Sequence, residues 1–231
     1  MNTNQEPSRI ENLGGLRRHL IYRTATYRTT WKLRLGLLGF LLILVVPTRG
    51  SWVPAIGWGL VRDSGPCKPD LILIDNLESD YLLFEKAEEL QRIDGPGMVL
   101  VPVKASGEDP GKPDRVPGKI AEVMIRVSRL QSAEILPFAE IEPVALNAAL
   151  QVGEFLRSKP NIRSVLVVTD GFRSRRTYLI YSHVLGELRV VVYTLPAWGI
   201  ERPENWATTW HGRQKVVLQY LRLLYYSILV F

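Results

Sequence analysis

"VLVVTDGFRSRRTYLIYSHVLG", residues 165–186, opens on four apolar residues and turns at Asp170-Gly171. It then sets Arg173, Arg175 and Arg176 at the head of an amphipathic segment that Gly186 stops. A short, continuous apolar run reads as a strand covered on both faces, and the segment after it as a helix. A strand buried on both faces needs parallel neighbours built the same way.

Those neighbours are present on either side. "DLILID" (70–75) precedes "YLLFEKAEELQRI" (81–93), where Leu82, Leu83, Ala87 and Leu90 mark one helical face. "GMVLVPV" (97–103) follows a break at Gly95-Pro96-Gly97, and residues 104–119, with three prolines and three glycines, read as a loop. A helix over 120–131, a strand "AEILPF" (133–138) and a helix over 142–158 with Pro143 in its first turn come next. Beyond the opening stretch lie a strand "LRVVVYTL" (188–195), a tryptophan-containing loop and a last helix from about Gly212. The alternation predicts an α/β fold over residues 69–231, doubly wound around a mainly parallel, Rossmann-like sheet of about five strands. Ligands of such sheets bind beyond the carboxyl ends of the strands. Thr169, Asp170 and the arginines stand at such an end, where the helix start adds free N–H groups and a positive dipole. An anion, or a ligand bearing a phosphate or carboxylate, is the expected guest.

Charge divides the chain unevenly. Residues 1–62 hold nine Lys/Arg and two Asp/Glu, whereas residues 63–231 hold 20 and 21, so the domain has no basic footprint and nucleic acid is not an expected partner. Seven of the nine basic residues precede "LGLLGFLLILVV" (35–46), which extended back to Trp31 predicts one transmembrane anchor over 31–50, with a basic segment (1–30) before it and a juxtamembrane linker (51–68) after it. A secretory signal peptide shares these features. Arg49 and Trp52 stand where small residues would prepare cleavage, which favours an uncleaved anchor in the lipid bilayer. The positive-inside rule then puts the N-terminus in the cytoplasm and the domain outside, as a single-pass protein of the inner (cytoplasmic) membrane. Cys67 is the single cysteine, so no intrachain disulfide forms.

"LVVTDGFRSRRTYLIYSHVLG" resembles the signature of the YdcF-like family, the domain of unknown function 218 that includes the SanA and ElyC envelope proteins. "AEVM" (121–124) is similar to its Glu-Ala-x-x-Met helix, "LNAA" (146–149) to its Asn-Ala motif, and "ENWATTWHGRQKVVLQYLRLLYY" (204–226) to the closing helix of anchored members. The chain departs from the pattern where Ile120, Val144 and Arg173 replace an acid, a threonine and a histidine. The resemblance implies a role in bacterial cell-envelope biogenesis. It also implies a site that binds an anionic small molecule or a lipid-linked glycan precursor, built from Asn147, Thr169, Asp170, Arg176, Trp206 and Lys215.

Asp75 and Asp170, at strand ends, are the candidate catalytic residues, as acid/base groups; capping of the next helix or solvation is the plain alternative. Asn76, Asn147, Thr169, Arg173, Arg176, Trp206 and His211 are the candidate ligand-binding residues. Arg176 is the preferred contact; Arg173 and Arg175 are expected to be solvated and His183 structural. Without clustered His or Cys no metal site is indicated, and no motif identifies a cofactor. A hydrolase or transferase acting on the same ligand, and a non-catalytic scaffold, stay open.

Overall fold

The computed structural model of the chain describes residues 30–65, 67–94, 97–107, 109 and 111–230. Residues 1–29 of the basic segment expected over 1–30, and Gly95 and Pro96 of the expected break, lie outside them. The chain divides into two units, Met1–Thr48 and Arg49–Phe231.

Helix α1 (Trp31–Trp58) is long and apolar enough to cross a membrane, with a mean hydropathy of 1.7 over its most apolar window. It runs on past the anchor expected over 31–50 and takes up residues 51–58 of the stretch expected as a linker. Pro47 has no N–H to give to the helix, and the Thr48 hydroxyl after it donates to the Leu44 carbonyl at 2.8 Å. Leu60, just past the helix, is fully buried with Phe172, Trp206 and Val216, so residues 51–60 belong to the second unit.

In that unit five strands form one sheet: β1 (Leu71–Ile74), β2 (Met98–Lys104), β3 (Ala133–Phe138), β4 (Ser164–Asp170) and β5 (Val191–Ala197). Their order is β3-β2-β1-β4-β5, and every pair is parallel. The helices between them are α2 (Tyr81–Asp94), α3 (Arg115–Val127), α4 (Val144–Arg157) and α5 (Ser174–Gly186), and α6 (Trp210–Val230) closes the chain.

Alternation along the strands sends β1 residues to opposite cores. Leu71 and Leu73 pack with Ala149 and Val152 of α4 and Ile180 and Leu185 of α5. Ile72 and Ile74 pack with Leu83, Phe84 and Ala87 of α2 and Ala121 of α3. Both faces are covered, which is why the strands read as unbroken apolar runs. Helix α3 starts at Arg115, inside the expected loop. Pro117 sits in its first turn, where a missing N–H costs nothing, and buried Gly118 packs on Pro113. The helix ends at Val127 rather than 131, because Arg129 turns left-handed with φ of 54°.

Candidate functional site

The strand order reverses between β1 and β4. From β1 the chain leaves to α2 on one face; from β4 it leaves to α5 on the other, so their carboxyl ends part and leave a crevice.

The crevice floor is a buried polar knot. Asp75, directly after β1, is 2% exposed. Its Oδ2 accepts from the Thr169 hydroxyl at 2.7 Å and the Thr177 hydroxyl at 3.0 Å, while Oδ1 is buried with no partner. Tyr181, one turn beyond Thr177, buries its hydroxyl without a partner, and burial, with Asp75 adding to it, raises its pKa well above the ordinary range.

Beside this knot, none of whose residues line it, is a cleft of about 380 Å³ walled by Glu78, Glu140, Glu142, Arg173, Arg176 and Tyr226 among others. The Arg173 guanidinium pairs with Glu78, whose second oxygen accepts from Arg222 Nη1 at 3.2 Å. Arg176 is 6% exposed and donates no hydrogen bond to any described residue; its Nε is buried without a partner, and its guanidinium lies 5.5 Å from the centre of the Tyr226 ring. Burial draws its pKa below the ordinary arginine value, and the Asp75 carboxylate opposes that shift. The Tyr226 hydroxyl accepts from the Ala145 N–H at 3.2 Å, in the first turn of α4, and burial raises its pKa.

The other expected residues go elsewhere. Asp170 caps the short turn after β4, accepting from Phe172 N–H at 3.1 Å, and pairs with Lys215 Nζ at 2.6 Å. It does not line the cleft. Asn76 donates to the Pro102 carbonyl at 3.5 Å and keeps a buried, unpartnered Oδ1. Asn147 donates to the Ala139 carbonyl, tying α4 to the loop after β3. Trp206 donates to the Val53 carbonyl at 2.8 Å within the third core, and His211 is exposed in the first turn of α6. The expectation that Arg173 is solvated is overturned by its burial against Glu78; His183, expected to be structural, is exposed. Arg175 is exposed, as expected, and donates to the Gly59 carbonyl at 2.6 Å.

Glu78, Thr177, Arg222 and Tyr226 were not legible as site residues, apart from one signal. Ile180, Tyr181 and Val184 face the core, and the helical period then turns Arg173, Arg176 and Thr177 inward and Arg175 outward. Among the described residues no three His, Cys, Asp or Glu side chains converge as a metal site would require. The cleft wall carries three guanidiniums, of Arg173, Arg176 and Arg222, and three carboxylates, of Glu78, Glu140 and Glu142; Glu78 is taken up by Arg173 and Arg222, which leaves Arg176 as the guanidinium without an ion pair to a described residue. The chain matches no family model and no curated protein.

Proposed function

We propose that this protein is a membrane-anchored, YdcF-like domain protein of bacterial cell-envelope biogenesis. Its cleft at the β1–β4 crevice binds an anionic small molecule or a lipid-linked glycan precursor, with the domain held outside the cytoplasmic membrane. The observation that carries the reading is Arg176: a buried guanidinium with unused donors, lining a cleft beside two further arginines. Burying such a group unpaired is costly unless something fills its hydrogen-bond positions. Arg173 and Arg222 already share the Glu78 carboxylate, so the reading rests on Arg176.

A hydrolase or transferase acting on the same ligand is the second reading, and one atom favours it: Oδ1 of Asp75, which does not line the cleft but is buried without a partner, on a carboxylate that acts on the cleft residue Arg176. Asp170 serves that reading less well, because both of its oxygens are engaged.

The test uses the full chain in detergent micelles, with inorganic phosphate and diphosphate as probes in titration calorimetry. Arg176→Ala is expected to lose roughly ten- to a hundredfold in affinity, the equivalent of one charge-assisted hydrogen bond. Arg175→Ala, whose side chain points to Gly59, is expected to bind like the native chain. Equal losses in the two variants, or no binding by the native chain, would remove the cleft from the reading.

A further inference from the structure

Helix α6 is apolar on both of its faces. From Val216 to Val230 the single charged residue is Arg222, which is turned to Glu78, and the whole helix carries no acidic residue. One side, with Gly212, Val216, Gln219, Tyr226 and Val230, is buried against the domain. The opposite side presents Val217, Leu218, Leu221, Leu224, Tyr225, Ile228 and Leu229 to the surroundings, with Leu221 and Leu224 each 60% and Ile228 73% exposed. Their spacing of three and four gathers them into one stripe. A contiguous exposed surface of this kind marks a place where something apolar binds.

The chain itself indicates what that is. Trp206, in the turn before α6, donates to the Val53 carbonyl at 2.8 Å, and the Tyr220 hydroxyl of α6 donates to the Ile56 carbonyl at 2.6 Å. Val53 and Ile56 lie in the last turns of α1, the helix able to cross a membrane, and they belong to the same unit as α6. Exposed tryptophans accompany this junction: Trp52 and Trp58 on α1, and Trp210 at the head of α6. Tryptophan in such positions suits the headgroup level of a bilayer. The exposed Arg213, and the absence of acids along the helix, suit a surface of anionic phospholipid. We infer that α6 lies in the interface of the bilayer that anchors the chain, with the stripe from Val217 to Leu229 inserted among the acyl chains and the opposite side on the domain. It lies along the bilayer rather than across it, since its other face is the wall of the domain core. This inference is independent of any ligand in the cleft.

The full chain, with Cys67→Ser as background, is reconstituted into vesicles of phosphatidylethanolamine and phosphatidylglycerol. A fluorophore is placed by Leu221→Cys or Ile228→Cys on α6, by Phe40→Cys within α1, or by Glu122→Cys on the exposed side of α3. Spin-labelled phospholipid is expected to quench the two α6 labels several-fold more strongly than the Glu122 site and about as strongly as the Phe40 site, with aqueous iodide showing the reverse order. Two α6 positions guard against a single misfolded variant, checked by circular dichroism. Iodide quenching at 221 and 228 equal to that at 122 would overturn the inference. So would labels shielded from both quenchers with disulfide cross-links forming between copies through Ile228→Cys, because the stripe would then cover a second chain.

Discussion

Asp75 and Asp170 end adjacent parallel strands, and each follows a run of four or more apolar residues, yet the fold gives them opposite employment. Asp75 is drawn beneath α5, where two threonine hydroxyls satisfy one oxygen and nothing satisfies the other. Asp170 stays half-buried, capping the turn below Phe172 and pairing with a lysine from the far end of the chain. The first is bound by neutral donors in a dry site, the second by a cation near water. A carboxylate in a dry site depends on every donor it has, whereas one near water can replace a lost partner with solvent.

That contrast is broken or sharpened by removing each carboxylate in turn. Asp75→Ala strands the Thr169 and Thr177 hydroxyls and leaves Arg176 without its opposing charge, so it is expected to cost about 2–4 kcal/mol of unfolding free energy, read from urea unfolding of the full chain in micelles. Asp75→Asn, which keeps an acceptor for the hydroxyls, costs less. A loss below about 0.5 kcal/mol for the alanine variant would show that the knot contributes nothing to stability. Asp170→Asn leaves an acceptor for Phe172 N–H and removes only a partly solvated ion pair, so about 1 kcal/mol or less is expected from the same measurement. A cost equal to that of Asp75→Ala would erase the distinction between the two strand ends.

A third carboxylate, at the amino end of β1, supplies the smallest effect and adds pH. Asp70 Oδ2 accepts from the N–H groups of Arg163 and Ser164, each at 2.9 Å, and from the Ser164 hydroxyl at 2.8 Å, which ties the start of β1 to the start of β4. The Arg163 N–H, then the Ser164 hydroxyl, hold its pKa below the ordinary carboxylate value. A carboxylate whose folded-state pKa is depressed stabilises the fold above its unfolded pKa and loses that contribution as pH falls through the folded one. The stability difference between the native chain and Asp70→Asn is therefore expected to be no more than about 1 kcal/mol at neutral pH, since the group is exposed, and to shrink as the pH is taken below the ordinary carboxylate range. A difference that grew on acidification would reverse the assignment.

Much of the layout could be read along the chain. The five apolar runs became the five strands, because a parallel sheet covered on both faces requires residues of one kind at every position. The carboxyl-end location of Thr169 and the arginines followed from that, and so did the choice of Arg176 over Arg175; Arg173, expected to be solvated with Arg175, is instead buried on the same side of α5 as Arg176. The partners were not legible. Glu78 and Arg222 are 144 residues apart in the chain and meet only because α6 folds back beside the loop after β1. Asn147, Trp206 and His211 carry polar groups that suit a ligand, but two of them are consumed by backbone carbonyls of Ala139 and Val53, and the third faces outward.

The sequence by itself determined the alternation of strand and helix, the apolar helix before the domain, and the edge of the sheet where charge collects. These are set by local periodicity and by the sum of apolar residues along short stretches. Only the tertiary structure decided which arginines keep unused donors, which carboxylate is dry and which is capped, and that the last helix keeps an apolar stripe uncovered. Those outcomes depend on which side chains from distant segments arrive at one place, and a buried polar group takes its character from the partners it meets there rather than from its neighbours along the chain.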